Sequence, residues 1–452
     1  MHPFDHIFRE YDIRGRVDTE LNDETVVQIG RAIGTFYRRH NVTATALGRD
    51  CRLSSDRLRD AIVEGLRSTG VDVTDIGVCH TPLLYFSLFH LNLRAGVMIT
   101  GSHNPPEFNG FKVCFDKTTL YGEQIQHLRR IATDGDFASG QGAVHTRSIT
   151  AHYIEHIAAD IHPARTLKVV VDAGNGTAGI AAVPLLQRIG CDVVALYCEP
   201  DGNFPHHHPD PTIPAYLKDL TDAVRDSGAD MGIAYDGDGD RIGVIDENGS
   251  ILWGDQLMII FSRDILARHP GAAIISEVKA SQSLYDDIQR HGGRPIMWKT
   301  GHSLIKAKMK QEKALLAGEM SGHMFFADRY FGYDDALYAS CRLVEILSRA
   351  HGPLSSLLEG VPRLYATPEI RVECPDDKKF QVVEAARAYF ESKHRIIGID
   401  GVRIIMPDGW ALIRASNTQP VLVMRFESAT PERLAQIQKD VTEAVQRAMN
   451  AV

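Results

Sequence analysis

The sequence predicts three related α/β domains followed by a smaller α+β domain, and three observations carry this. A chain of 452 residues exceeds the roughly 250–300 at which one hydrophobic core stops growing, so several domains with clefts between them are expected. One pattern recurs three times along the chain: an apolar strand, a short Gly/Ser/Asp loop, an amphipathic helix and a second strand. From about residue 365 the texture changes to several strands flanked by two helices.

The first copy places a strand at 44–47, a loop at 48–54, a helix at 55–69 and a strand at 71–76. The second has a strand at 168–171, a loop at 172–176, a helix at 177–189 and a strand at 191–196. In the third, a strand at 273–275 leads through a loop at 277–281 and a helix at 282–291 to a strand at 295–298. Strands alternating with helices imply parallel βαβ units with right-handed crossovers. The last domain reads as a strand at 369–373, a helix at 378–393 and two or three strands among 402–406, 410–414 and 421–427, with Asp408-Gly409 as a hairpin turn. A helix at 431–449 closes it, started by Thr430 as N-cap and Pro431 in the first turn. Pro362 and Pro368 punctuate the join at 360–368, with Pro353 shortly before it, and this is the expected hinge. The expected domain limits are 1–147, 148–250, 251–363 and 364–452.

Composition is that of a globular protein, with 44% hydrophobic, 24% charged and 8% aromatic residues, which excludes disorder, collagen and coiled coil. The 49 Lys and Arg against 58 Asp and Glu give a net charge of -9, so the broad positive field of a nucleic-acid binder is missing. Local basic residues can still hold a small anion. The N-terminus has no apolar signal core, and no run approaches the roughly 18 apolar residues of a membrane helix. Seven cysteines without a C-x-x-C argue against disulfides and structural zinc, and the expected setting is the cytoplasm.

Asp236-Gly237-Asp238-Gly239-Asp240-Arg241 lies between two apolar strands. Three alternate carboxylates separated by glycines can converge oxygen on one hard cation, and without a cation they would repel. An EF-hand loop is excluded because Arg241 stands where that loop needs Gly and strands replace the flanking helices. Magnesium is expected at Asp236, Asp238 and Asp240. Thr100-Gly101-Ser102-His103-Asn104-Pro105 ends an apolar strand, placing a hydroxyl where it can act as nucleophile or phosphoryl carrier; a Ser/Asn turn is the plain alternative. Gly174, Gly176 and Gly179 outline a dinucleotide fingerprint and raise a second possibility, a nicotinamide-dependent oxidoreductase, although glycines also serve tight turns and Asp172 sits where a pyrophosphate would approach. Gly318 to His323 offers Glu319, Ser321 and His323 to sugar hydroxyls. Arg414, Ser416, Asn417 and Thr418 form an anion cradle before Pro420. His206-His207-His208 reads as a loop with at most one functional histidine.

In this order the motifs resemble the α-D-phosphohexomutases, most closely the bacterial phosphomannomutase/phosphoglucomutase branch. Phe8-Arg9-Glu10-Tyr11-Asp12-Ile13-Arg14-Gly15 is similar to that family's N-terminal signature, and the other four loops match its phosphoserine, magnesium, sugar and phosphate loops. The resemblance implies three α/β domains with mixed sheets around a central cleft and a fourth α+β domain. It implies reversible phosphoryl transfer between the 1- and 6-positions of glucose or mannose phosphates through phosphoserine at Ser102 and a 1,6-bisphosphate. Ser102 would join the three aspartates on the metal. Lys112 and His302 would be acid/base candidates, Arg241 and Lys279 would support charge, and Tyr11 and Arg14 would contact the phosphoserine region or the substrate. Glucose 1,6-bisphosphate is the expected activator, hexose phosphates are the expected partners, and a monomer or weak dimer is the expected state. Met320 between Glu319 and Ser321 points to glucose or mannose, with phosphoglucosamine mutase as the runner-up.

Overall fold

The computed structural model describes residues 5–416 and 420–451, and these form two compact units: Met1–Ile265 with Leu315–Glu359, and Leu266–Ala314 with Gly360–Val452. Among the described residues no helix is long and apolar enough to cross a membrane.

The first unit contains a seven-stranded mixed sheet. Strand Ala44–Arg49 lies parallel to both Asp72–Val78 and Ala95–Ile99, while Phe108–Phe115 runs antiparallel to Ala95–Ile99 and to Ile13–Arg16. Every residue of Ala95–Ile99 is buried, as expected of a strand covered on both faces. Helices Asp23–Arg39 and Ser55–Ser68 cover one face, with Ile29, Leu47, Leu66 and Val97 in a shared core. A five-stranded sheet follows, in which Lys168–Asp172 is parallel to Asp192–Leu196 and Met231–Tyr235, and Ile242–Asp246 returns antiparallel. The hairpin Leu316–Gly318 with Met324–Phe326 and the buried helix Ala336–Arg349 complete this unit.

In the second unit Ala273–Glu277 and Arg294–Trp298 are parallel, joined through helix Gln282–Arg290. The third strand–helix–strand copy is therefore present, but the chain after it contributes its hairpin to the first unit. The rest of the second unit is an antiparallel sheet built on Val402–Met406, Gly409–Ala415 and Val421–Ser428. Helices Lys379–Glu391 and Pro431–Ala451 pack on it through Val382, Ile404, Phe426 and Val441. Thr430 Oγ1 caps the last helix by accepting from Arg433 N at 3.2 Å. All seven cysteines are thiols, and burial pushes those of Cys51, Cys79, Cys191 and Cys198 up to about 12.

Candidate active site

The buried strands Met231–Tyr235 and Ile242–Asp246 hold the aspartate loop between them. The loop closes on itself: Asp236 Oδ1 accepts from the backbone N–H groups of Asp240 and Arg241 at 3.1 and 3.2 Å. Asp236, Asp238 and Asp240 are fully buried, and one carboxylate oxygen from each lies within 4.8 Å of the others. Burial and the two neighbouring aspartates push the Asp236 carboxyl well above its ordinary range. Burial would also raise Asp238, but Lys112 overrides it and holds that carboxyl low.

Lys112, on Phe108–Phe115, donates from Nζ to Asp238 Oδ2 at 2.7 Å and Asp240 Oδ2 at 2.5 Å. Burial alone would lower the ammonium, yet Asp238, Asp240 and Asp334 together raise it above the ordinary lysine value. Thr81 Oγ1 gives Asp238 Oδ2 a second hydrogen bond at 2.5 Å. Asp238 Oδ1 and Asp240 Oδ1 are buried without a hydrogen-bond partner among the described residues. Unsatisfied buried carboxylate oxygens are costly, and an all-oxygen set of this kind fits a hard divalent cation such as magnesium.

Strand Ala95–Ile99 delivers the serine loop against this centre. Ser102 takes a left-handed φ of 50°, an unusual conformation for a residue with a Cβ, and its N–H donates to Thr100 Oγ1 at 2.8 Å. Its hydroxyl is nearly buried and donates to Asp236 Oδ2 at 3.0 Å, leaving Oγ to accept from His103 Nδ1 at 3.0 Å. Burial, with Arg241 and Arg14 adding to it, holds the His103 imidazole well below its ordinary pKa, so it is neutral.

The turn 319–323 is closed by Glu319 N to His323 O and Gly322 N to Glu319 O, both 3.0 Å. It is also bonded to the aspartate loop, since Ile242 N donates to Gly322 O at 3.1 Å. Arg241 Nε donates to His323 Nε2 at 3.0 Å, which places the imidazole proton on Nδ1, 3.2 Å from Asp334 Oδ2 and 3.6 Å from Asp240 Oδ1. His323 thus reaches the carboxylate centre as well as the turn that carries Glu319 and Ser321. Arg14 sits opposite Gly110 on the neighbouring strand and pairs with Asp12; Tyr11 is half-buried just before that strand.

The Gly174–Gly179 motif has a structural explanation. A Cβ at Gly176 would lie 2.7 Å from Gly237 O and 2.9 Å from Gly237 Cα, so only glycine permits this approach to the aspartate loop. Asp172 accepts from Gly174 N at 2.8 Å and from His207 Nε2 at 3.0 Å. The three consecutive histidines each take a different partner: His206 bonds Asn175 Oδ1, His207 bonds Asp172, and His208 Nε2 donates to His103 O.

In the second unit, Lys279 donates from Nζ to Glu369 Oε1 at 2.6 Å and from its N–H to Glu277 Oε2 at 2.7 Å. Lys279, with burial opposing it, draws the Glu369 carboxyl down to about 2. Thr300 donates from Oγ1 to Glu277 at 3.2 Å and from its N–H to Asp400 Oδ2 at 3.0 Å. Arg414 Nε donates to the same Asp400 oxygen at 3.1 Å. Lys279, the Thr300-Gly301-His302 turn and Arg414 are therefore joined through carboxylates. His302 begins helix His302–Glu312, and Ser416 N donates to Val421 O at 3.0 Å. Asn417 and Thr418 lie outside the described residues.

Sequence reasoning passed over Arg52, Thr81, Asp334, Glu369 and Asp400. None stands in a motif; each is recognisable only by what it touches.

The chain matches the family description "Phosphoglucomutase/phosphomannomutase" across its length: alpha/beta/alpha domain I over residues 5–139, domain II over 151–249, domain III over 253–365 and the C-terminal domain over 369–444. It is 49% identical over 432 residues to a phosphomannomutase/phosphoglucomutase of Pseudomonas aeruginosa, covering 95% of this chain and 93% of that one. It is 46% identical over 437 residues to a phosphoglucomutase of Neisseria gonorrhoeae, covering 96% and 95%. A solved phosphoglucomutase/phosphomannomutase family protein from Burkholderia thailandensis superposes with a TM-score of 0.93 at 42% identity, covering 98% of both chains.

Proposed function

From the premise that the chain belongs to the phosphoglucomutase/phosphomannomutase family of α-D-phosphohexomutases, we propose that the residues gathered around Ser102 move a phosphoryl group. The protein is an isomerase that transfers phosphate reversibly between the 1- and 6-positions of hexose phosphates, and glucose and mannose phosphates are the substrates we assign to it. The observation that carries the site reading is the Ser102 hydroxyl, 3.0 Å from one of three buried, converging aspartates.

Ser102 carries the phosphoryl group. The free hydroxyl of a bound hexose phosphate attacks phosphorus, the bond to Ser102 Oγ breaks as the bond to the sugar oxygen forms, and the hydroxyl loses its proton. The bisphosphate then turns over and the reverse step returns the other phosphate to Ser102. Asp236, Asp238 and Asp240, with the phosphoserine, would hold magnesium, which neutralises phosphate charge and polarises phosphorus. Lys112, held protonated by Asp238 and Asp240, suits charge support and proton return, while His302 is the partner base. Arg241 and Lys279 add positive charge, and Arg14 and Tyr11 line the phosphoserine side. Glu319, Ser321 and His323 grip the sugar; Arg414, Ser416, Asn417 and Thr418 grip the distant phosphate. We further assign glucose 1,6-bisphosphate as activator, because it can rephosphorylate Ser102. Domain limits of 1–147, 148–250, 251–363 and 364–452, a cytoplasmic setting and a monomer or weak dimer belong to the same proposal.

Phosphorus NMR tests it directly. With magnesium and a trace of glucose 1,6-bisphosphate, the 1-phosphates of glucose and mannose are expected to give 6-phosphate signals faster than glucosamine 1-phosphate. Faster conversion of the amino sugar would reassign the substrate, and no conversion of any would overturn the reading.

A further inference from the structure

We propose that Arg52 is a positioning residue that sets the conformation of the Ser102 loop, an inference that rests on Ser102 being the phosphoryl carrier. The Arg52 side chain is 1% exposed, and all five of its N–H donors have assigned acceptors. Nε donates to Asp50 Oδ2 at 3.2 Å; one terminal nitrogen donates to Pro105 O at 2.7 Å and Phe108 O at 3.0 Å; the other donates to Ser102 O at 2.8 Å and Asn104 O at 2.6 Å. A buried guanidinium with one carboxylate partner is therefore solvated mainly by the carbonyls of the serine loop itself. Asp50 completes the clamp by accepting from Gly101 N at 3.0 Å and from Ser55 Oγ at 2.5 Å. The Arg52–Asp50 pair thus binds N–H and C=O groups on both sides of Ser102.

This arrangement has a consequence for the hydroxyl. Ser102 holds a left-handed φ of 50° that a local turn alone disfavours. Drawing the 102, 104, 105 and 108 carbonyls to one planar cation fixes that conformation and aims Oγ at Asp236. Lysine, with three donors on a tetrahedral nitrogen, cannot reproduce a five-donor fork. The glycine before the serine fits the same purpose: a Cβ at Gly101 would lie 2.5 Å from Arg52 Cζ. None of this places Arg52 against substrate, so it acts through Ser102.

The test pairs Arg52→Lys with Gly101→Ala, which leaves the guanidinium present but displaces it. Enzyme prephosphorylated on Ser102 is mixed with glucose 1-phosphate, and the single-turnover rate of phosphoryl loss is measured, a rate constant independent of the active fraction. Each single variant is expected to slow it about 10–100-fold, with KM for glucose 1-phosphate nearly unchanged. Hydrogen exchange in Arg52→Lys should quicken at 100–110 and stay unchanged at 231–246. A single-turnover rate in Arg52→Lys within about 2-fold of the parent, or unchanged exchange at 100–110, would each overturn the proposal. If the parent protein itself shows no transfer from Ser102, the mutase reading fails, while the exchange comparison still decides whether Arg52 holds the loop.

Discussion

At the scale of single residues, the centre around Ser102 is organised by charge more than by hydrophobic packing. Replacing Ser102 by alanine removes only the hydroxyl and its bonds to Asp236 and His103, so turnover is expected to fall by at least about 10³-fold while the melting temperature moves by no more than about 2 °C. Assay of sugar-phosphate conversion beside a thermal melt checks both halves. The unsatisfied oxygens of Asp238 and Asp240 lead to a second expectation. Magnesium at a hundred times its dissociation constant stabilises by about 2.7 kcal/mol, so saturating magnesium should raise the melting temperature by about 5 °C, and Asp238→Asn should lose most of that rise. A melt insensitive to magnesium in the parent protein would count against the cation site. Much of this centre was legible in the sequence, because Asp236 to Arg241 and Thr100 to Pro105 are contiguous and carry their chemistry in their side chains. Arg52 was not legible, since its partners are backbone carbonyls that any residue supplies. Nor was Asp334, whose meaning depends on the His323 tautomer.

At the scale of elements, the helix Ala336–Arg349 begins on a titratable cap. Asp335 Oδ1 accepts from Tyr338 N at 2.9 Å and from Tyr153 Oη at 2.9 Å, and Tyr330 donates to Oδ2 at 2.8 Å. Burial raises this carboxyl from 3.8 to about 7 despite those bonds. A raised acid means the folded state holds the proton more tightly than the unfolded chain. Its contribution is therefore fully present below about pH 4 and is lost as pH rises through about 7. Asp335→Asn keeps an acceptor for the cap but cannot ionise, so its melting temperature should fall less between pH 4 and 7 than the parent's. Parallel slopes in the two melting series would refute the assignment. The strands and helices themselves were readable where the apolar period is clean: the strand at 95–99 and the three parallel pairs follow the sequence pattern. Helix Asp23–Arg39 stood outside the repeat on which that reading relied, although Asn22 caps it by accepting from Thr25 N at 2.9 Å.

At the scale of the whole molecule, the division into units does not follow chain order. Residues 266–314 belong with the last domain because Arg403 donates to Val278 O at 2.7 Å and Ala280 O at 2.8 Å, stacks on Trp410 at 3.8 Å, and leaves Val278 packed on Trp410 and Leu412. Contacts across more than a hundred residues leave no trace in local periodicity, which is why the repeat pattern alone did not reveal this grouping. Arg403→Leu should accelerate hydrogen exchange together at 277–282 and 402–414 while leaving 168–172 protected; acceleration at 402–414 alone would show that the two stretches are not one cooperative body. The native cysteines bear on how such bodies can be followed. A thiol with a pKa of about 12 is ionised to only about one part in 10⁵ at pH 7, so Cys51, Cys79, Cys191 and Cys198 are nearly silent toward maleimide dyes, and Cys114, Cys341 and Cys374 are buried away from them. A single engineered surface cysteine on each unit would then stand out against a dark background, and single-molecule fluorescence could report their separation during turnover without first stripping the native thiols.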